Sequence, residues 1–107
     1  MSDDADVQAK VDMLSKLFKG RLHVRYEQMN VAFAQCEAGT GGHAPWRELH
    51  RLLHCLSGAA GTFGCAALGE HARRIELRIN DMLALGQFHK HDAHAIGQEL
   101  QALQATP

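Results

Sequence analysis

The stretch from Leu49 to Gly64, LHRLLHCLSGAAGTFG, has the apolar periodicity of an amphipathic α-helix. With about 100° of rotation per residue, its large apolar residues gather on one side of the helix. This side holds Leu49, Leu52, Leu53, Leu56, Ala60 and Phe63, and the opposite side holds Arg47, His50, Arg51, His54, Gly58 and Gly61. The apolar side predicts a helix packed into a core of other elements. The opposite side, including the His54 imidazole, is expected to face solvent.

Composition favours further helices around this one. The chain has 107 residues, 46% of them hydrophobic, a size that suits one domain with a single core. Ala and Leu dominate the apolar residues, aromatic residues are few and Pro occurs twice, which favours helices over strands. We therefore predict an all-α fold in a single domain that spans residues 1–107.

The order of the predicted elements defines a bundle. A short N-terminal helix ends near Gly20, and a long helix follows as far as the glycine-rich loop at residues 38–44. The central helix covers residues 45–63, the next one ends at Gly86, and the last one runs to about Gln104. Short loops favour an antiparallel up-down-up-down four-helix bundle, with the short N-terminal helix capping one end.

Charge and hydropathy exclude several classes of partner. The formal net charge is −1 and no basic run exceeds a pair of residues, so nucleic acid is an unfavourable partner. No apolar run approaches the roughly 20 residues that span a bilayer, and the acidic start MSDDADVQ is unlike a secretory signal. We therefore expect a cytoplasmic protein without a membrane partner.

Three cysteines occur without a CxxC pair, which indicates reduced thiols and no disulfide framework. Cys36 and Cys65 are interpreted as small apolar fillers of the core. Cys55 follows His54 directly and is expected to be partly exposed.

Two glycines inside the central helix call for an explanation. Gly58 and Gly61 are each expected to cost on the order of 1 kcal/mol relative to Ala within a helix. Both lie on the same side as His54, whereas a helix neighbour would approach on the leucine side. We infer that they clear space beside the imidazole. An accessible imidazole of this kind suits attack on a reactive group that another protein presents.

The segment HCLSGAAGTFG, residues 54–64, resembles the signature of histidine-containing phosphotransfer (HPt) domains, and its GAAGTFG part is similar to the phosphotransfer domains of chemotaxis kinases. The resemblance implies that His54 accepts a phosphoryl group and passes it to or from an aspartate of a receiver domain. It also implies two kinds of partner, a response-regulator receiver domain and a sensor or hybrid histidine kinase.

No nucleotide-binding motif of the GxxxxGK[ST] type is present. We therefore expect a phosphocarrier without its own ATP site and without a cofactor. The magnesium ion that the reaction needs is expected on the partner receiver domain.

The resemblance also assigns supporting residues. Relatives often carry Lys three residues after the histidine, where this chain has Ser57. Arg51, one turn before His54, or Arg47 could supply positive charge instead. In chemotaxis-type relatives a carboxylate on the next helix steadies the imidazole, and the matching residue here is Glu76. Such a carboxylate would accept from Nδ1–H and leave Nε2 as the nucleophile. A solvated Glu76 in the charged run ARRIELR is the open alternative.

Two other functions stay open at this stage. The first is a degenerate HPt-like module that docks a receiver or kinase without being phosphorylated, through a face that includes His50, His54, Gly58 and Gly61. The second is a His-rich metal-binding bundle, because His50 and His54 lie four residues apart and HKHDAH adds His89, His91 and His94. An HExxH motif and a cysteine pair are both missing, so no residue is assigned to a metal site.

Overall fold

The computed structural model describes residues 2–106, and every regular element in that range is an α-helix. Met1 and Pro107, which the predicted single domain includes, lie outside the described residues. The helices are α1 (Ser2–Gly20), α2 (Leu22–Ala38), α3 (Ala44–Thr62), α4 (Ala66–Leu85) and α5 (Lys90–Gln104). Within residues 2–106, no helix combines the length and the apolar character needed to cross a bilayer.

Helices α2 to α5 form the predicted antiparallel four-helix bundle. Helix α3 packs against α4 on one side and α2 on the other, and α5 closes the bundle between α4 and α2. The leucine side of α3 is the centre of the core, where Leu49, Leu53, Leu56 and Ala60 are fully buried. The connecting loops are short because Gly39 and Gly86 adopt left-handed backbone conformations, with φ of 70° and 65°, directly after α2 and α4.

The N-terminal helix ends at Gly20 as predicted, but it is not the short cap that was expected. Helix α1 has 19 residues, and its acidic first turn and Lys19 in the last turn both complement the helix dipole. Only its C-terminal end packs: Phe18 is buried against Phe63, with ring centroids 5.6 Å apart. The apolar side chains before it remain exposed, and the molecule is 55 Å long but only about 22 Å across. Local helix propensity, rather than burial, therefore sets the length of α1.

The cysteines differ in accessibility, and Cys65, which was predicted to fill the core, is only half-buried. Cys36 is buried on α2 and Cys55 is exposed on α3. Burial raises the pKa of the Cys36 thiol to about 12, so this residue carries almost no thiolate at about pH 8, and the thiolate is the reactive species. We expect iodoacetamide to modify Cys55 while Cys36 stays intact until the protein is unfolded, as followed by peptide mass spectrometry. Equal labelling rates of the two thiols in the native protein would contradict this arrangement.

Candidate functional site

His54 lies in the middle of α3 and projects away from the bundle core. Its side chain is 65% exposed, whereas the neighbouring Leu53 and Leu56 are fully buried. This is the orientation that the helical periodicity predicts. The imidazole is therefore accessible to another protein while the backbone that carries it is held rigidly by the core.

Glu76 on α4 contacts the imidazole directly. Its Oε1 lies 2.6 Å from His54 Nδ1, and its side chain is only 6% exposed. The alternative in which Glu76 is a solvated residue of a charged run is therefore wrong. When the Glu76 carboxyl group is ionised it can only accept, and in that state Nδ1–H is the donor in this hydrogen bond. The bond selects the tautomer in which Nε2, across the ring from Glu76, carries the free lone pair.

A glycine that the sequence analysis did not single out sets the spacing between α3 and α4. A Cβ atom at Gly69 would lie 3.1 Å from the Ser57 carbonyl oxygen and 3.4 Å from the Gly61 nitrogen. Gly69 and Glu76 are seven residues apart and share one face of α4. The close approach of the two backbones at Gly69 therefore brings Glu76 beneath His54. The sequence did contain a signal for this contact. A glycine inside a helix lowers stability by about 1 kcal/mol relative to alanine, so its presence in a strong helical pattern indicates a close approach by a neighbouring helix.

The other predicted supporting residues, Arg51, His50 and Ser57, differ in the contacts that they make. Arg51 is engaged by Glu48: its Nε donates to Oε2 at 3.0 Å and its Nη2 to Oε1 at 2.5 Å. The hydrogen bond from Arg51 lowers the pKa of the Glu48 carboxyl. The His50 Nε2 atom lies 3.9 Å from Glu76 Oε1, and Ser57 is half-buried on the side of α4. His50 and Arg51 join His54 and Glu76 in one shallow surface pocket.

Arg73, which was not predicted from the sequence, lines the same pocket. Its Nη1 lies 3.8 Å from Glu76 Oε2, and its side chain is 58% exposed. The residue stands three positions before Glu76, so both lie on the α3-facing side of α4. This spacing from Glu76 is the signal that would have identified it.

Comparison with protein families identifies the fold and the general role. The Hpt domain model matches residues 13–106, which include α2 to α5 and the packed end of α1. The chain belongs to the Hpt domain family. Searches of curated proteins and of solved structures return no match. Hpt domains are phosphocarrier modules rather than kinases, and they interact with response-regulator and kinase components of phosphorelays. The chain therefore has a phosphotransfer role in two-component signalling, and the resemblance stated from the sequence is confirmed.

Gly58 and Gly61 lie on the exposed side of this Hpt domain, next to the imidazole. A Cβ atom at either position would meet no atom within 4 Å outside the local helix backbone. Internal packing therefore does not require glycine at these two positions, in contrast to Gly69. That finding agrees with the hypothesis that they clear space for a partner.

This contrast predicts opposite effects of alanine on stability. Gly58→Ala is expected to raise the free energy of unfolding by up to about 1 kcal/mol, because alanine favours the helix and finds open space. Gly69→Ala is expected to lower it, because the new methyl group would press on the backbone of α3. Thermal unfolding followed by circular dichroism measures both changes. A lower melting temperature for Gly58→Ala would show that this glycine has a structural role.

His50 and His54 both approach Glu76 Oε1, at 3.9 and 2.6 Å, but the three histidines of the HKHDAH segment lie elsewhere. Across residues 2–106, no group of three His, Cys, Asp or Glu side chains is placed to hold a metal ion. His89 and His91 stack on each other at the start of α5, with ring centroids 5.3 Å apart. His94 lines a separate groove between α2 and α5. The structure thus supplies no ligand set for the metal-binding alternative.

Proposed function

We propose that His54 is the phosphoacceptor of this Hpt domain. It would take a phosphoryl group from an aspartyl phosphate of a receiver domain, or from a sensor or hybrid histidine kinase, and pass it on to a receiver aspartate. The observation that carries this proposal is the 2.6 Å contact between His54 Nδ1 and the buried Glu76 carboxylate. That contact leaves an exposed Nε2 with a free lone pair, which is the nucleophile that the reaction needs.

The proposed step balances without any proton leaving the site. The Nε2 lone pair attacks the phosphorus atom in line, the bond from phosphorus to the aspartyl oxygen breaks, and its electrons return to the receiver carboxylate. The new N–P bond places positive charge on the imidazole ring. Nδ1–H stays hydrogen-bonded to Glu76, whose negative charge balances that of the ring. In the reverse direction the receiver aspartate attacks phosphorus and Nε2 leaves with its electron pair.

The surroundings of His54 agree with a partner-dependent reaction. Gly58 and Gly61 leave the surface one and two turns along α3 free of side chains, so a receiver backbone can approach the imidazole closely. We expect the receiver to bring the magnesium ion, and the Hpt domain to need no nucleotide or cofactor of its own. We also propose that the protein is cytoplasmic, as expected from its sequence.

Label transfer tests the proposal. A response-regulator receiver domain is charged with radiolabelled acetyl phosphate, freed of excess donor and mixed with the chain in the presence of Mg²⁺. We expect an acid-labile, base-stable label on the chain, and peptide mapping should place it at residue 54. Nitrogen NMR of the phosphorylated protein should show the phosphoryl group on Nε2. An acid-stable label at Ser57 or Thr62 would overturn the assignment.

A docking module without phosphorylation remains the second candidate, and Ser57 is the observation that favours it. Relatives often place a lysine there, whereas Ser57 carries no charge. The same experiment separates the two functions when receiver binding is measured by calorimetry in parallel. Binding without any label on the chain would establish the docking function in place of phosphotransfer.

A further inference from the structure

A phosphoryl group on His54 creates an electrostatic demand that the pair of His54 and Glu76 does not meet. The group brings close to two negative charges at neutral pH, and the positive charge of the phosphorylated ring does not offset them because it is already balanced by the Glu76 carboxylate. The phosphoryl group and the Glu76 carboxylate repel each other across the imidazole. The repulsion is strengthened because Glu76 is buried, where water screens charge poorly. A cation beside the phosphoryl group would remove this penalty.

The two arginines of α3 are poorly placed to supply that cation. Both hydrogen bonds of Arg51 described above go to Glu48, which lies one turn farther from the imidazole. Arg47 is two turns from His54 and does not line the pocket around the imidazole. Using Arg51 would require its two-point contact with Glu48 to break.

Arg73 on α4 occupies the required place. Gly69, Arg73 and Glu76 lie on one stripe of α4, at intervals of four and three residues. Gly69 packs on Ser57 and Glu76 contacts His54. Since the two helices are antiparallel, Arg73 lies opposite the part of α3 between Ser57 and His54. A lysine at position 57 would approach the imidazole from this same level of the bundle.

The Arg73 guanidinium forms a long ion pair with Glu76 and no hydrogen bond to it. Its 3.8 Å separation from Glu76 Oε2 is too long for a hydrogen bond, and Oε2 is buried without a hydrogen-bond partner. With more than half of its side chain exposed, Arg73 can turn toward a group on Nε2. A guanidinium presents paired N–H donors that match two oxygens of a phosphoryl group.

We propose that Arg73 binds the phosphoryl group carried by His54 and replaces, from α4, the lysine that relatives carry on α3. This inference rests on the proposed function, because it requires phosphorylation of His54. The absence of a lysine at Ser57 is then compensated by a cation from the neighbouring helix, and the domain retains phosphotransfer.

Five variants of the full chain test the role of Arg73, and one of them is Arg51→Gln. Arg73→Gln is expected to lower the rate of transfer from a phosphorylated receiver about fivefold, and to shorten the half-life of the isolated phosphorylated chain similarly. Arg73→Lys should retain most of the rate. Arg74→Gln is the matched control, because Arg74 is the adjacent arginine and lines a different pocket, with His71, Arg78 and Glu99. Ser57→Lys, introduced into Arg73→Gln, should restore transfer.

Phosphorus NMR distinguishes binding of the phosphoryl group from a structural role. If Arg73 contacts the group, Arg73→Gln should raise the pKa at which the phosphoryl resonance of the isolated chain titrates, whereas Arg74→Gln should leave it unchanged. Wild-type rates and an unchanged titration for Arg73→Gln would overturn the proposal while leaving phosphorylation of His54 intact. A loss confined to Arg51→Gln would assign the cation to Arg51 instead. A wild-type chain that accepts no label would overturn both proposals.

Discussion

Replacing His54 with glutamine is expected to reduce phosphoryl transfer from a charged receiver to background. Glutamine keeps polar atoms at the position, but its amide nitrogen has no lone pair available for attack on phosphorus. The side chain is 65% exposed, and the glutamine amide can still donate a hydrogen bond to the buried Glu76 carboxylate, so the free energy of unfolding should change by no more than about 1 kcal/mol. Label transfer and chemical denaturation measure the two quantities on the same protein.

His23→Gln is the matched control for this substitution, since His23 is an exposed histidine on α2, outside the pocket around His54. Its transfer rate should equal that of the wild type. Labelling of His54→Gln at the wild-type rate would place the phosphoacceptor elsewhere in the chain.

Replacing Glu76 with glutamine is expected to slow transfer about 30-fold without removing the hydrogen bond to His54. The amide oxygen can still accept from Nδ1–H, so the orientation of the ring is preserved. The negative charge that balances the phosphorylated imidazole is lost, and hydrogen bonds to charged groups contribute about 2 kcal/mol. Rapid-quench measurements of transfer from the receiver give the rate.

Glu70→Gln provides the comparison for Glu76, because Glu70 is an exposed carboxylate on the same helix. It should transfer at the wild-type rate. If Glu76→Gln also proved as fast as the wild type, Glu76 would serve only to hold the imidazole in place, and its charge would have no part in the reaction.

The sequence predicted best those structural features that depend on a single helix. The exposure of His54 follows from the leucines on the opposite side of α3, and the ends of α2 and α4 follow from Gly39 and Gly86. The resemblance to HPt domains located the carboxylate partner at Glu76, which periodicity within α4 leaves undecided. The predicted bundle and its loops therefore agree with the structure.

Features that depend on two helices together were not predictable in this way. The proximity of Arg73 to the imidazole depends on the register of α4 against α3, and that register is set by Gly69 and Ser57. The periodicity of apolar residues within one helix contains no information on the register between two helices. Helix α1 was predicted to be a short cap, whereas it has 19 residues and most of its apolar side chains stay exposed.

The backbone contact at Gly69 has a consequence for how the domain can change over evolutionary time. Gly69 faces main-chain atoms of Ser57 and Gly61 and the methyl group of Ala60, so backbone atoms of α3 largely determine the separation of the two helices at this point. We expect changes in the size of core residues on α2 and α5 to leave the 2.6 Å contact between His54 and Glu76 in place. Substitution of Gly69 itself is the change that this arrangement does not tolerate. The geometry of the reactive centre thus depends on one residue that has no side chain.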